Sequence, residues 1–554
     1  MQPAPEACAP RGTAFAALLS PARLMRFLTA CRWDALAATA LAALAIGLQF
    51  ASGAYRSDFA STPDEPSHVV SSLMIRDYAA QGFPGSPVRF AANYYVHYPK
   101  VAIGHWPPLF YLIEAGWMLA FGRTRAAMLA LPALFAVLLA VSVYAWLKRD
   151  CGRLAAFFAA AILVSIPLMQ FIVAMVSPDI LLGLLTLWAA IAYGRYRESG
   201  SWRYGALAAL LGVCAILTHG RAAGIVFVPA FAALAGGRYR LNRIFWFFEA
   251  LFCAAAIYLP TRFPAQGDWE GLRAASRDVW HILSRTWVVL GWPVALIAVI
   301  GVVWTFRAGR PKARWAPLLA IVFAMLAVHA LIHVYWADHY LVTILPAGAA
   351  LFAAGWTFLS QLASRRARTV WPVTALLVLF SCGVIANNLM HLRHKPDLQY
   401  HTWVREAPLA GKESRVSLIC GGATEEGVFI SEIALRDPHP EHFVLRGSKV
   451  LAHSKWSGDQ YKRQFKDSQA VLAYLDQTHT GTVILLPGDT HPHVAQLTDA
   501  LTGDPDRWKE IAPGRVSSGV RFFARIGPEP PGGLNIQLDV QQPFGFDPHV
   551  QYHE

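Results

Sequence analysis

Charge is scarce in this chain. Only 15% of its 554 residues are Asp, Glu, Lys or Arg, while 55% are hydrophobic. So little charge excludes an ordinary soluble protein and points to a polytopic membrane protein, with room for one soluble domain. Cysteine is also sparse: seven residues, scattered and mostly in apolar segments, with no Cys-x-x-Cys. That excludes a disulfide framework and a cysteine-built zinc site. Only Cys420 lies in the C-terminal region expected to be soluble. No nucleic-acid motif accompanies the formal charge of +13; basic loops on the cytoplasmic side of a membrane account for much of it. A cleavable signal pattern is missing as well. Arg11, Arg23, Arg26 and Arg32 precede the first long apolar span, which reads as an uncleaved helix starting in the cytoplasm.

A membrane span needs about 20 apolar residues. Eleven are expected, near 35–54, 127–147, 154–176, 179–196, 202–219, 222–236, 244–260, 286–306, 315–335, 340–360 and 370–390. The segment 106–122 is apolar too, but at 1.5 Å per residue it reaches only about 25 Å, and it carries Glu114. If it does not cross, the basic clusters at 148–153, 195–203, 238–243, 307–314 and 365–368 all fall inside. It is therefore expected to lie flat as an interfacial helix, with a second one over 66–80. The resulting plan is a cytoplasmic segment 1–34 and a transmembrane domain 35–390 with a long first periplasmic loop at 56–126. A small periplasmic α/β or α+β domain occupies 391–526, and residues 527–554 form a tail without order. The chain is placed in a bacterial inner membrane. No internal repeat is evident.

On this topology, polar groups converge at the outer membrane edge. Asp64, Glu65 and His68 stand in Ser61-Thr62-Pro63-Asp64-Glu65-Pro66-Ser67-His68, and Lys100 and His105 end the same loop. Asp179 opens a span in Ser177-Pro178-Asp179. His219 and Arg221 lie in Thr218-His219-Gly220-Arg221, and His333, Asp338 and His339 lie between two spans. Arg262, Arg273, Arg277 and Arg285 share an outer loop. Acidic groups at a membrane edge are costly to desolvate and mark chemistry there. Cationic side chains at such an edge can hold a lipid phosphate. A carboxylate beside them can deprotonate an attacking hydroxyl.

In order along the chain, TPDEPSH, HWPPL and SPD resemble the membrane glycosyltransferases of the GT-C fold, above all the protein O-mannosyltransferases and the lipid A aminoarabinose transferases. The resemblance covers about residues 35–350. It implies a helical GT-C-like membrane fold and inverting transfer of a sugar from a polyprenyl-phosphate donor to a hydroxyl of a periplasmic lipid, glycan or protein. It also implies Asp64 as general base, with Glu65 and Asp179 as acidic partners. His105 and Lys100 stand near the family's basic residue before Pro-Pro, and Arg221 near its basic-Gly motif. His68, His219 and His339 complete the expected substrate contacts. Three departures stand out. Trp106 separates His105 from the proline pair, His68 comes one residue later than in the mannosyltransferases, and His-Gly-Arg replaces the basic-Gly pair. The sequence shows no metal-binding motif, and relatives differ in their need for a divalent cation, so a metal requirement stays open.

Structural readings compete with these roles. Thr62-Pro63-Asp64-Glu65 is a good helix start, with Thr62 as N-cap and Glu65 as return acceptor; Ser177-Pro178-Asp179 has the same form. Capping and catalysis are compatible. Glu249 is expected to pair with Arg243, and the pairs His439/His442 and His491/His493 read as exposed. A transporter or flippase for lipid-linked sugars, and a non-catalytic binder of them, are the rival classes. The transporter predicts paired broken helices and polar groups at mid-membrane.

Overall fold

The computed structural model describes residues 21–102, 104–236, 269–307, 312–331, 337–364, 370–406, 415–437, 440–453, 461–511, 519–539 and 549–553. Helices dominate the first 400 residues: α1 (Pro21–Ala51), α2 (Glu65–Ala80), α3 (Pro87–His97), α4 (Leu109–Phe121), α5 (Arg125–Cys151), α6 (Arg153–Ser165), α7 (Pro167–Val173), α8 (Asp179–Ser199), α9 (Trp202–Thr218) and α10 (Val228–Gly236). Then come α11 (Trp269–Leu290), α12 (Trp292–Arg307), α13 (Lys312–Leu331), α14 (Leu345–Ser364) and α15 (Val370–Met390). Short 3-10 turns at Gly220–Phe227 and Asp338–Thr343 lead into α10 and α14.

Among the described residues, Cys31–Ala51, Arg125–Cys151 and Trp371–Met390 are long and apolar enough to cross a membrane. Two expected spans are instead broken. Pro167 interrupts the one at 154–176, because its ring cannot continue the ladder, and α6 and α7 meet at 65°. The one at 286–306 breaks at Gly291, where α11 and α12 meet at 112°. The span at 244–260 lies outside the described residues. Helices α12 and α14 cross at Gly301 and Gly355. A Cβ on either would sit 1.9 Å from a carbonyl oxygen of the other helix, so only glycine permits this approach.

The C-terminal unit is α/β. A five-stranded sheet has the order β2 (Phe443–Arg446), β1 (Val416–Cys420), β5 (Thr480–Leu485), β7 (Arg521–Arg525), β6 (Trp508–Ile511). Strands β2, β1 and β5 are parallel; β7 runs antiparallel to both its neighbours, β5 and β6. The parallel strands are buried along almost their whole length, as a sheet covered by helices requires. A short helix α16 (Tyr400–Glu406) precedes β1, and α17 (Ala423–Arg436) joins β1 to β2. Two residue pairs, Ala452–His453 (β3) and Lys462–Arg463 (β4), form a separate ladder.

This unit is docked on the first loop rather than tethered beside it. Val428, Phe429 and Ile430 of α17 share one hydrophobic core with Val69 and Leu73 of α2. Around that core, Arg125 pairs with Glu432 at 2.6 Å, and Tyr98 donates to Asp437 at 2.5 Å. Arg123 donates to the Asp437 carbonyl at 2.8 Å, and the His97 ring stacks on Phe443 at 4.2 Å.

The tail departs from its expected lack of order. Asn535–Asp539 (β8) pairs antiparallel with His549–His553 (β9). The cause is local alternation: Ile536 and Leu538 are buried between polar neighbours, and they join a core that includes Val96 of α3.

Candidate active site

The turn before α2 sorts its two acids. Thr62 Oγ1 accepts from the Glu65 N–H at 3.2 Å, and Glu65 Oε2 accepts from the Ser61 N–H at 2.8 Å. This is the expected capping exchange, shifted one residue earlier on the return side. Asp64 takes no capping bond and its side chain is exposed. Glu65 is fully buried. Its Oε1 accepts from the Val176 N–H at 3.1 Å and from the ammonium of Lys395.

Asp179 begins α8 and is buried. Its Oδ2 accepts from Ser177 Oγ at 3.0 Å. It lies within electrostatic reach of His339, Arg221 and Asp64. Tyr111, on the first turn of α4, is buried and lies in the field of both Asp64 and Asp179; burial first, then these two carboxylates, hold the phenol well above its ordinary pKa. Its hydroxyl meets His68 Nδ1 at 2.8 Å. The His68 ring lies 4.4 Å from Trp106, with His105 4.3 Å from the same indole. Burial first, then the field of His219, His339, His105 and Lys100, pushes the His68 pKa down to about 3. His68 is therefore a neutral imidazole, able to orient Tyr111 but not to serve as a cation.

Facing these groups, Arg221 stacks over Tyr340 at 3.0 Å from the ring centroid, and His339 and His219 flank the same ring at 4.1 and 6.2 Å. The Arg221 N–H donates to His219 Nδ1 at 3.1 Å. The structure thus brings Asp64, Asp179, His68, His339 and Arg221 into one neighbourhood around Tyr111 and Tyr340. Glu65 is turned away from it, and His105 is exposed at its rim.

Lys100 faces the C-terminal unit. A Cβ on Gly427 of α17 would fall 2.6 Å from Lys100 Cε, so the glycine makes room for the lysine stem. Burial first, with Arg446 and Lys449 repelling and Asp64 and Glu426 attracting, lowers the Lys100 pKa to about 7. Lys100 therefore links Asp64 electrostatically to the C-terminal unit.

Next to His339 is a cavity of about 430 Å³ lined by Leu168, Phe171, His281, Arg285, Ala337, Asp338, His339 and Arg393. Both helix breaks build it: α7 supplies Leu168 and Phe171, and α11 supplies His281 and Arg285. Arg285 clasps Asp338 through two hydrogen bonds, Nε to Oδ1 at 2.9 Å and a terminal nitrogen to Oδ2. The lining thus combines apolar side chains with two arginines, one of them paired with Asp338, a mix that suits an amphiphile with an anionic head.

Of the other residues singled out in the sequence, Arg243, Glu249, Arg262, His333 and His439 lie outside the described residues, as do the side chains of Arg273 and Arg277. His493 is buried, not exposed, and shares Asp489 with the exposed His491. Glu114 is buried with neither oxygen hydrogen-bonded, and burial pushes its carboxyl well up. Sequence reasoning missed Tyr111, Tyr340, Arg393 and Lys395. Tyr111 lies two residues after the Pro-Pro-Leu segment and Tyr340 directly after His339, so proximity could have flagged both. Arg393 and Lys395 stand in an unremarkable polar connector.

Among the described residues, Asp58, Asp397 and His401 have metal-like spacing. Asp58 is already saturated by N–H donors: Leu398 and Tyr400 on Oδ2, and the His401 amide and ring on Oδ1, at 2.8–3.0 Å. It caps α16 and has no lone pair directed at an ion.

Residues 105–262 match the model of the dolichyl-phosphate-mannose-protein mannosyltransferase family. The fold is similar to that of ArnT from Cupriavidus metallidurans. The apo state gives a TM-score of 0.54 at 15% identity, covering 90% of this chain and 98% of that one. The same protein bound to undecaprenyl phosphate gives 0.53 at 14% identity, covering 88% and 97%. The Archaeoglobus fulgidus oligosaccharyltransferase, tethered with an acceptor peptide containing the NVT sequon, gives 0.50 at 14% identity, covering 82% and 69%. No curated protein matches in sequence. The family match over residues 105–262 and the fold shared with these structures support a PMT/ArnT-like membrane glycosyltransferase of GT-C fold.

Proposed function

We propose that this glycosyltransferase moves a sugar from a polyprenyl-phosphate donor to a hydroxyl of a lipid, glycan or protein on the periplasmic side of a bacterial inner membrane. The observation that carries it is the pairing of an exposed carboxylate, Asp64, with a buried one, Asp179, around Tyr111 beside a cationic and apolar cavity. That a protein of similar fold was crystallised with undecaprenyl phosphate supports the choice of carrier.

In this reading the donor phosphate sits at the cavity, held by Arg393, His339 and Arg221, with its prenyl chain along Leu168 and Phe171. Asp64 takes the proton from the acceptor hydroxyl as its oxygen attacks the anomeric carbon. The new glycosidic C–O bond forms on the face opposite the phosphate, so the configuration inverts. The anomeric C–O–P link breaks on the carbon side, and polyprenyl phosphate departs with the bonding pair. Cations at a membrane edge stabilise that departing charge. Asp179 keeps Arg221 and His339 oriented. The α/β unit at 391–526 stands on the periplasmic side and covers the first loop.

Broken helices also fit a transporter. Here both breaks line the cavity next to the carboxylates, as a donor site for an enzyme needs, and the chain shows no internal repeat. The test compares the lipid and glycan mass spectra of a deletion strain complemented with wild type or Asp64→Asn. A glycan species that wild type restores and Asp64→Asn does not, at equal membrane abundance, is the expected result. Full restoration by Asp64→Asn would overturn the assignment. Activity that survives strong chelation would exclude an exchangeable metal.

A further inference from the structure

The connector between α15 and α16 buries a lysine. The Lys395 side chain is completely buried, as is that of Glu65, and the two form an ion pair 330 residues apart in sequence. The ammonium also donates to the Ala174 carbonyl at 2.9 Å, and the Lys395 N–H donates to the Ser52 carbonyl at 2.9 Å. Through Glu65, the pair takes in the N–H groups of Ser61 and Val176. Four stretches of chain therefore meet at one charge pair: the exit of α1, the turn that carries Asp64, the turn that carries Asp179, and the connector to the α/β unit. Asp64 is the neighbour of Glu65, and Asp179 lies three residues after Val176.

A buried ion pair is an expensive device if stability is its sole purpose, because apolar residues of similar volume serve equally well. What it supplies that apolar contact does not is direction. Each bond fixes one backbone group relative to one charged atom, and catalytic groups misplaced by about 1 Å lose much of their effect. Two residues before Lys395, Arg393 lines the cavity. The connector thus contributes to both halves of the site.

We propose that Lys395 is a positioning residue. Paired with Glu65, it sets the separation of the Asp64 and Asp179 segments, and it makes that separation depend on the connector that carries the docked α/β unit. The proposal rests on the functional reading above, in which Asp64 and Asp179 serve one reacting centre. Glu65 acts here through Lys395 and the two turns, since both its oxygens are occupied by the protein.

The test uses the full-length protein in the deletion strain, with Asp64→Asn as reference. Lys395→Met and Glu65→Gln each leave a buried partner without its counterpart, and both should lower membrane abundance. The decisive variant is the double replacement Glu65→Met/Lys395→Met, which removes both charges and fills the space. It should recover the melting temperature of the detergent-purified protein to within a few degrees, while the restored glycan species stays about 100-fold below wild type. In membrane vesicles supplied with lipid extract from the deletion strain as donor source, that loss should appear in kcat, with the donor KM within about threefold. A double variant that is stable and as active as wild type would overturn the positioning role. So would one that does not fold, since the pair would then serve stability alone. If Asp64→Asn itself restores the glycan, the functional reading has failed instead, and the two failures are told apart in the same experiment.

Discussion

Two helix starts in this molecule carry the same local signal and put it to opposite use. At α2 the run is Thr62-Pro63-Asp64, and at α8 it is Ser177-Pro178-Asp179. In both, a hydroxyl residue precedes proline and aspartate, and the helix dipole favours the acid. At α2 the capping work passes to Thr62 and Glu65, and Asp64 is left exposed without a capping bond. At α8 the acid itself bonds the hydroxyl, at 3.0 Å, and is buried. A shared motif therefore fixes where a carboxylate stands along the chain. The tertiary partners of its neighbours decide whether that carboxylate is left exposed or is buried and bonded.

The largest expected effect separates the two acids directly. Asp64→Asn should lower transfer by about a thousandfold, the usual range for removal of a general base, measured as initial rates in membranes. Because the side chain is exposed, stability should change by less than about 0.5 kcal/mol. Asp179→Asn should cost less activity, about 10- to 100-fold, because the amide still bonds Ser177 but no longer balances Arg221 and His339. If both substitutions cost the same, the division between base and holder fails.

A pH experiment probes the α2 side. Burial keeps His68 neutral down to about pH 3, whereas in the unfolded chain it takes up a proton near 6.5. The unfolded state then binds more protons between those values. Stability should rise with pH across that window and be lost as pH falls through it, by about 1.4 kcal/mol per unit at most. Thermal melts of wild type and His68→Phe between pH 4 and 7 should show a shallower slope in the variant. An unchanged slope would mean that His68 is not held neutral.

The smallest effects sharpen the contrast most. Thr62→Ala and Ser177→Ala should each lower stability by about 1 kcal/mol through a lost cap or hydrogen bond. Only Ser177→Ala should also reduce turnover, by a fewfold, because only there does the hydroxyl touch a carboxylate of the site.

Much of this was readable from the chain. Apolar runs fell on helices, of which three among the described residues, or five with the bent pairs, are long and apolar enough to cross a membrane, and the run at 106–122 folds as the short helix α4. The ordered motifs pointed to the family whose model matches residues 105–262 and brought Asp64 and Asp179 forward. Other features depended on tertiary partners. Nothing local in His391-Leu392-Arg393-His394-Lys395 distinguishes Lys395 from a solvated connector residue; its burial comes from a carboxylate 330 positions away. The capping pattern separates Glu65 from Asp64, but nothing local reveals that Glu65 is buried against a lysine. The β8–β9 hairpin was obscured by its Pro-, Gly- and Gln-rich surroundings, although Ile536 and Leu538 alternate as a strand should.

The Glu65–Lys395 pair also sets a timetable. Residue 65 leaves the ribosome long before residue 395, and at roughly 5–20 residues per second the delay is about 15–70 s. During that time the carboxylate has no lysine, and the turns that carry Asp64 and Asp179 are joined by nothing from the connector. On the proposed reading, competence for transfer is then acquired late in synthesis, when Lys395 reaches Glu65. A nascent chain truncated before residue 395 should insert into the membrane yet remain inert, so that partly made copies do not act on the lipid pool.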